Sequence, residues 1–247
     1  MSKPLTTILI TRPMGQQQTF AASCRMLGFR VAHLPCLAIE PLFDDQLSAE
    51  LLNQTDSVLF TSKNAVLHAH HTYPLPWPGT VVNAIGPATT AALVALNQSV
   101  KLTPKSPYTS ESYLQQLESL PPQKLLIVKG LGGRTLIADH LRKLGWAVQG
   151  LDVYQRCLPA ISPESVAELM QNSAPEIISI TSNEALQNLK ILAVNHWDTL
   201  SKLPIVVNSE RTATLAQSMG FEQLALVARS AGDEGQLEQV KLWLSKR

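Results

Sequence analysis

Short apolar runs rich in β-branched residues alternate with amphipathic segments along this chain. The predicted strands cover 7–11, 30–35, 57–61, 81–85, 125–129, 147–153, 177–181, 205–208 and 223–227. Helix-period segments such as GGRTLIADHLRKLG lie between most of them and end at a glycine suited to a helix C-terminus. This alternation is typical of parallel sheets covered by helices on both faces. The predicted fold class is therefore α/β, doubly wound, of the flavodoxin or Rossmann-like type.

The composition narrows the class of protein and its partners. The 247 residues leave room for roughly one to two domains with a substantial core. A net charge of +1 argues against a nucleic-acid partner, which would need a broad basic face. No apolar run has the length of a membrane span or a secretory signal, so we expect no membrane partner and a cytoplasmic location. Three widely spaced cysteines predict neither a disulfide framework nor a CxxC motif.

The chain resembles itself at an offset near 120 residues. VLFTSKNAV corresponds to ISITSNEAL, and ILITRPMG corresponds to LLIVKGLG. The alternative is that any α/β protein shows such echoes of strand, turn and helix. Two proline-punctuated stretches, 34–42 and 153–164, lack a helix period and indicate crossings between domains. We therefore expect one domain from residues 1–37 with 157–247 and another from residues 38–156.

Hydroxyl side chains follow two predicted strands that correspond in the repeat. Thr61-Ser62 and Thr181-Ser182 each precede a helix whose free N–H groups and dipole attract an anion. A carboxylate or phosphate would fit there, with the hydroxyls as further donors. The alternative is that Ser62 and Ser182 only cap their helices. The paired occurrence favours binding.

In each half of the repeat, a second strand end, or corner, is also followed by polar residues. In AIGPATTAAL, Gly86 permits close approach of a ligand to the backbone, and Thr89 adds a hydroxyl. In the corresponding NSERTATL, Arg211 beside Thr212 could make a bidentate contact with a carboxylate. The alternative for Arg211 is a solvated surface cation.

A glycine-rich turn follows the predicted strand 125–129. KGLGG, which begins at Lys129 and includes Gly130, resembles a dinucleotide fingerprint, and Asp152 lies near the distance expected of a ribose-binding acid. Thr135 stands where the third glycine belongs, however, so an anion-binding loop explains the pattern as well. Arg12 is a second candidate cation, at the matching strand end in ILITRP. For both cations, solvent exposure without a ligand is the alternative.

Tyr154 begins the second predicted crossing, where a phenol could reach into a cleft as a hydrogen-bond or proton donor. The alternative is an amphipathic tyrosine that closes a strand.

His68, His70 and His71 share a predicted helix, but no carboxylate or cysteine nearby in sequence completes a ligand set. We therefore expect no metal.

Over essentially its whole length the chain resembles the uroporphyrinogen-III synthase family. The resemblance rests on the order and spacing of ILITRP, VLFTSKNAV, AIGPATTAAL, SPYTSESYL, LLIVKGLGGRTLIADHLRKLGWAVQGLDVYQR and IISITSNEAL. It implies two α/β domains joined by a two-stranded linker, with a cofactor-free active site in the cleft. It also implies a lyase of haem biosynthesis that acts as a monomer. The implied partners are a linear tetrapyrrole polycarboxylate and, transiently, the enzyme that supplies it.

The reaction implied by the resemblance is the cyclisation of hydroxymethylbilane. Loss of the terminal hydroxyl gives an azafulvene-like cation, and the last ring is inverted through a spirocyclic intermediate. Closure then gives uroporphyrinogen III and water. Uncatalysed closure gives the symmetric isomer I, so positioning of the substrate is the expected main contribution of such an enzyme.

Residue by residue, Tyr154 in VYQR matches the family tyrosine thought to assist departure of the hydroxyl, and Thr89 matches a cleft threonine. Ser62 and Ser182 match the hydroxyls of paired Thr/Ser-Ser-Pro loops. The chain departs from that pattern, because lysine and Asn183 replace the loop prolines and NSERT stands where IGPRT or IGPTT is common. The expected catalytic residue is thus Tyr154, and the expected substrate-binding residues are Arg12, Thr61, Ser62, Gly86, Thr89, Lys129, Gly130, Ser182, Asn183, Arg211 and Thr212.

Two other functions stay open from the residues alone. One is a nucleotide-dependent oxidoreductase that uses the turn at Gly130 and would bind a nicotinamide cofactor. The other is a noncatalytic two-domain protein that binds an anion without turnover.

Overall fold

A computed structural model describes residues 6–42, 47–230 and 232–246. The chain divides into two compact units, which we call the first unit (Met1–Ala38 with Cys157–Arg247) and the second unit (Ile39–Arg156). The first unit is discontinuous in sequence, because the whole second unit is inserted between its two segments. The chain therefore crosses between the units twice.

Within the described residues, the chain forms ten strands and eleven α-helices. The strands are β1 (Thr7–Ile10), β2 (Arg30–His33), β3 (Ala38–Pro41), β4 (Ser57–Phe60), β5 (Val81–Ala84), β6 (Lys124–Gly130), β7 (Ala147–Cys157), β8 (Ile177–Ile180), β9 (Ile205–Val207) and β10 (Leu226–Val227). The helices are α1 (Gln18–Met26), α2 (Ala49–Asn53), α3 (Lys63–Thr72), α4 (Pro87–Val94), α5 (Ser110–Leu117), α6 (Leu136–Lys143), α7 (Pro163–Ser173), α8 (Asn183–Leu192), α9 (Trp197–Leu200), α10 (Glu210–Ser218) and α11 (Asp233–Leu244).

Each unit is built on one five-stranded sheet. The first unit has the order β10-β9-β8-β1-β2, and every neighbouring pair in it is parallel. The second unit has the order β3-β7-β6-β4-β5, with parallel pairing from β7 through β6 and β4 to β5. The carboxyl ends of the parallel strands in each unit consequently meet at one edge of its sheet, where ligands bind in open α/β sheets.

Apolar side chains on alternate strand positions build a core on both faces of each sheet. In the first unit, Leu9 belongs to one buried cluster, whereas Ile8 and Ile10 belong to another. In the second unit, Phe60 belongs to one buried cluster and its neighbour Leu59 to another. Strands β1, β4 and β8 are buried at every position, which explains why each consists of three apolar residues and one serine or threonine.

The α/β prediction with parallel sheets is confirmed, and each of the nine predicted strands overlaps an observed one. Two elements differ from the prediction. The stretch expected to be only an extended crossing contains β3, which lies at the sheet edge where its terminal Pro41 needs no ladder partner. Strand β7 continues to Cys157, four residues beyond the predicted end, because it neighbours β3 there.

Candidate active site

A cavity of about 270 Å³ lies in the second unit. Its walls come from the carboxyl ends of β4, β6 and β7, from the loop before α6, from α6 itself and from the start of α5. Predicted site residues that line it are Thr61, Ser62, Lys129, Gly130 and Tyr154. The structure thus brings five of the twelve predicted residues to one cavity.

Tyr154 is buried in the wall of this cavity, with only 2% of its surface exposed. Its hydroxyl lies 3.1 Å from Ser62 Oγ, and Arg156 Nη2 donates to it at 3.4 Å. Ser62 Oγ also accepts from the backbone N–H of Ala65 at 3.0 Å, as the N-cap of α3. The guanidinium donates to one lone pair of the phenol oxygen, and either hydroxyl can donate in the contact between Tyr154 and Ser62. When Ser62 is the donor, the phenolic proton is left for an acceptor in the cavity.

The phenol ring is fixed by its neighbours. The ring of His68, on α3, stacks on it with centroids 5.6 Å apart and an interplanar angle of 26°. The guanidinium carbon of Arg156 lies 5.8 Å from the ring centroid. Burial lowers the pKa of His68 below its ordinary value, and the neighbouring His71 lowers it further. The imidazole beside Tyr154 therefore favours its neutral form.

Basic side chains dominate the charge of the cavity wall. Lys129, Arg134, Arg142 and Arg156 line it, whereas the described lining residues include no aspartate or glutamate. Lys129 Nζ pairs with Asp152 at 2.6 Å and donates to the carbonyl of Gly132 at 3.3 Å. Arg134 and Arg142 face Glu111 at 3.7 Å and Asp139 at 3.8 Å, in exposed pairs that water screens. The lining itself stays basic and suited to carboxylates.

Gly86 and Thr89 lie at the start of α4 but do not line the cavity. Both are buried, and Gly86 has an extended backbone with φ −176°. A Cβ atom at Gly86 would meet Tyr108 Cβ at an ordinary 3.5 Å, so the glycine is not required for local packing. The structure does not bring these two residues to the phenol of Tyr154.

The corresponding corners of the first unit also contain capping hydroxyls. Ser182 Oγ accepts from the backbone N–H of Ala185 at 3.1 Å, and so reproduces the geometry of Ser62. Thr212 Oγ1 donates to Asn183 Oδ1 at 2.8 Å, which joins the two corners of this unit. Arg211 is exposed on the surface of α10.

Arg12 is buried rather than exposed. It forms an ion pair with Asp233, and its guanidinium carbon lies 4.3 Å from the ring centroid of Phe20. Its Nε and Nη2 atoms have no hydrogen-bond partner in the part of the chain that the structure describes. Arg12 therefore lies within the packing of the first unit.

Sequence reasoning missed several residues of the cavity, above all Arg156 and Arg134. Arg156 follows Tyr154 by two positions in one strand, so strand alternation could have placed both side chains on one face. Arg134 follows the glycines of the turn that contains Gly130, a turn that was singled out for anion binding. The sequence indicates for His68 only the possibility of a metal ligand, which it disfavours, and not the ring contact with Tyr154. Among the described residues, no group of three or more His, Cys, Asp or Glu side chains is arranged to hold a metal.

Comparisons with known proteins converge on one family. The family model of uroporphyrinogen-III synthase HemD matches residues 18–236. Uroporphyrinogen-III synthase of Escherichia coli K12 is 32% identical over 244 residues, covering 92% of this chain and 97% of that protein. The corresponding protein of Salmonella typhimurium LT2 is 28% identical over 242 residues, with the same two coverages.

Solved structures share the fold. Uroporphyrinogen-III synthetase from Helicobacter pylori 26695 has a TM-score of 0.66 at 17% identity, and covers 98% of this chain and 100% of its own. A mutant uroporphyrinogen III synthase from the extremely thermophilic bacterium Thermus thermophilus has a TM-score of 0.60 at 19% identity, with the same coverages. At these identities, the likeness supports the two-unit α/β architecture.

Proposed function

Because this chain belongs to the uroporphyrinogen-III synthase family, we propose that it cyclises hydroxymethylbilane and that Tyr154 and the basic cavity beside it carry out the reaction. The observation that carries this assignment is the buried Tyr154 hydroxyl, held by Ser62 and Arg156 at the cavity wall. Family membership favours the synthase over a nucleotide-dependent oxidoreductase and over a noncatalytic anion-binding protein.

The cavity suits one end of the substrate. Hydroxymethylbilane carries acetate and propionate groups on every ring, and a volume of about 270 Å³ accommodates part of such a molecule rather than all of it. Arg134 and Arg156 would bind carboxylates of the terminal ring, with the N–H groups at the start of α6 as further donors. The terminal ring is thereby held with its hydroxymethyl group beside Tyr154.

In this proposal Tyr154 is the proton donor to the departing hydroxyl. The phenolic O–H passes its proton to the hydroxyl oxygen while the carbon–oxygen bond breaks, which releases water and leaves the azafulvene-like cation. Arg156 and Ser62 stabilise the phenolate that remains. Formation of the last carbon–carbon bond releases a proton from the ring carbon, and this proton restores Tyr154. The overall change is loss of one water molecule.

We extend the proposal to the corners of the first unit. Ser182 and the linked Asn183 and Thr212 offer hydroxyl, amide and helix N-terminal donors of the same type as Ser62. They would bind carboxylates of other rings. Arg211, Gly86 and Thr89 remain predicted contacts of the substrate, and Arg12 remains a predicted contact whose present partner is Asp233.

A transient contact with the enzyme that supplies the bilane is part of the proposal, because free hydroxymethylbilane closes to isomer I without catalysis.

The cytoplasm is the proposed location. It is supported by Cys24 and Cys36, which are free and buried. Burial raises the pKa of Cys24 to about 12, which suits a thiol that stays reduced and unreactive. Among the described residues, no helix has the length and apolarity needed to cross a bilayer.

The activity is tested by supplying hydroxymethylbilane and separating the product isomers. We expect isomer III at a rate above that of spontaneous closure, and isomer I alone at the spontaneous rate would refute the function.

The role of the cavity is tested with Arg134→Ala and a matched control, Arg229→Ala. Both arginines have exposed side chains, at 73% and 76%, and each faces one glutamate, at 3.7 and 3.4 Å. Arg134→Ala should raise KM by about twofold to fivefold, the range of an exposed ionic contact. Arg229→Ala should leave KM unchanged. Equal effects of the two substitutions on KM would show that the cavity does not bind the substrate.

A further inference from the structure

We propose that Gly130 is a positioning residue for Tyr154: the missing side chain lets the phenol lie against the end of β6 and brings its hydroxyl to Ser62. This inference rests on the proposed function, since it assigns how the proton donor is held. It gives Gly130 a role different from the substrate contact expected from the glycine-rich turn.

The contact between the two residues is steric. A Cβ atom placed on Gly130 would lie 2.5 Å from Cζ of Tyr154, 2.7 Å from Cε2 and 2.9 Å from the hydroxyl oxygen. Each of these distances is shorter than a van der Waals contact, so a methyl group there must displace the ring. Gly130 is not among the residues with positive φ. The glycine is therefore required by the space that the ring occupies and not by its backbone conformation.

An irregularity in the strand pairing brings the ring to this place. Lys129 pairs with Asp152, but the next residue, Gly130, pairs with Tyr154, so β7 contains one residue more than β6 at this point. Regular alternation would send Val153 and Tyr154 to opposite faces of the sheet. Instead both belong to the same buried cluster. The bulge thus turns Tyr154 towards α3, as bulges beside active sites re-aim side chains.

The ring has little freedom to move away from an added methyl group. His68 stacks on it, and the backbone carbonyl of Tyr154 accepts from the N–H of Leu131 at 2.8 Å. A displaced ring would move the hydroxyl away from Ser62 Oγ, which lies only 3.1 Å away. Gly130→Ala should therefore misplace the proton donor without touching the residues that bind carboxylates.

The experiment compares Gly130→Ala with the wild type in the isomer assay. We expect isomer III formation to slow on the order of tenfold or more, with the loss in kcat rather than KM, because orientation and not binding is changed. In the Tyr154→Phe background, Gly130→Ala should cause a smaller further loss, because the hydroxyl that it misplaces is already absent. Wild-type turnover by Gly130→Ala, or an undiminished loss in the Tyr154→Phe background, would overturn the proposal.

Thermal unfolding tests the geometry separately, even if Gly130→Ala folds poorly. Gly130→Ala should lower Tm by about 3 °C or more in the presence of the tyrosine, and by much less in a Tyr154→Ala background, where the clash is absent. Gly150→Ala is the stability control, because its Cβ would meet only Lys129 Cε at 3.5 Å. Equal Tm losses in both backgrounds would contradict the steric contact. A wild type that forms no isomer III would refute the proposed function while leaving this coupling measurable.

Discussion

Replacing Tyr154 with phenylalanine removes one oxygen atom and leaves the ring that packs on His68 and Gly130. The hydroxyl loses its hydrogen bond with Ser62, worth about 1 kcal/mol of stability, and the longer one from Arg156 at 3.4 Å. Ser62 keeps its bond to the N–H of Ala65. A positioned proton donor contributes about 10²- to 10⁴-fold to a rate. We expect the lower end, about 100-fold or about 3 kcal/mol of barrier, because the bilane also closes without an enzyme. The effect on turnover therefore exceeds the effect on stability.

The assay contains its own reference, since spontaneous closure gives isomer I. Tyr154→Phe should lower the rate of isomer III formation and raise the fraction of isomer I, while the far-ultraviolet circular dichroism stays that of the wild type. Tyr113→Phe is the matched control. Tyr113 is another fully buried tyrosine of the second unit, its hydroxyl accepts from Asn83 Nδ2 at 3.2 Å, and it lies outside the cavity lining.

Tyr113→Phe should cost similar stability and leave the isomer ratio unchanged. A Tyr154→Phe protein that forms isomer III within about twofold of the wild-type rate would refute proton donation by this residue. Catalysis would then rest on orientation of the substrate and on backbone donors.

Four further substitutions test the contacts described above. Ser62→Ala and Ser182→Ala should each lower the free energy of unfolding by about 1 kcal/mol through loss of a helix cap, measured by urea titration. Ser62→Ala should also slow isomer III formation, and a change in turnover without any stability loss would contradict the capping role. The pKa of His68 lies below its ordinary 6.5 in the folded state. As the pH drops below 6.5, the unfolded chain therefore binds the proton more readily than the folded protein does, and the free energy of unfolding falls. His68→Phe keeps a ring beside Tyr154 and should make the urea midpoint less sensitive to pH between about 7.5 and 5, whereas an unchanged pH slope would exclude His68 as its source. Arg156→Leu should raise KM and weaken the dependence of KM on salt, and an unaltered salt dependence would show that this guanidinium meets no carboxylate.

The strands and the capping corners could be predicted because their signals are local. A short run of mainly apolar residues predicts a parallel strand that is buried on both faces, and β4 and β8 are such strands. Capping by Ser62 and Ser182 was the alternative to anion binding, and both accept the N-cap hydrogen bond from the backbone. Ser209 does the same in the structure. The position of Tyr154 at a crossing indicated a possible proton donor but left a strand-closing tyrosine as the alternative, and the family resemblance added the catalytic role.

The rest depends on contacts between segments distant in sequence. The bulge at Gly130 and Tyr154 is a mismatch between two strands, and neither strand contains a signal for it alone. Arg12 is predicted from its strand end to bind the substrate, but Asp233 pairs with it from 221 residues away. Gly86 and Thr89 follow β5, but of this corner only Ile85, directly before Gly86, lines the cavity. Such pairings come from tertiary packing, which a single sequence does not specify locally.

The insertion of the second unit has a consequence for synthesis on the ribosome. Strand β1 leaves the ribosome well before its partner β8, since the hydrogen bond from Thr11 Oγ1 to the carbonyl of Ser179 spans 168 residues. At about 5 to 20 residues per second, this interval lasts roughly 10 to 30 s. Throughout it, β1 offers the mainly apolar edge TILI to other chains, while the second unit can already complete its sheet. The first unit is therefore the part of the nascent chain that we expect to need protection from aggregation.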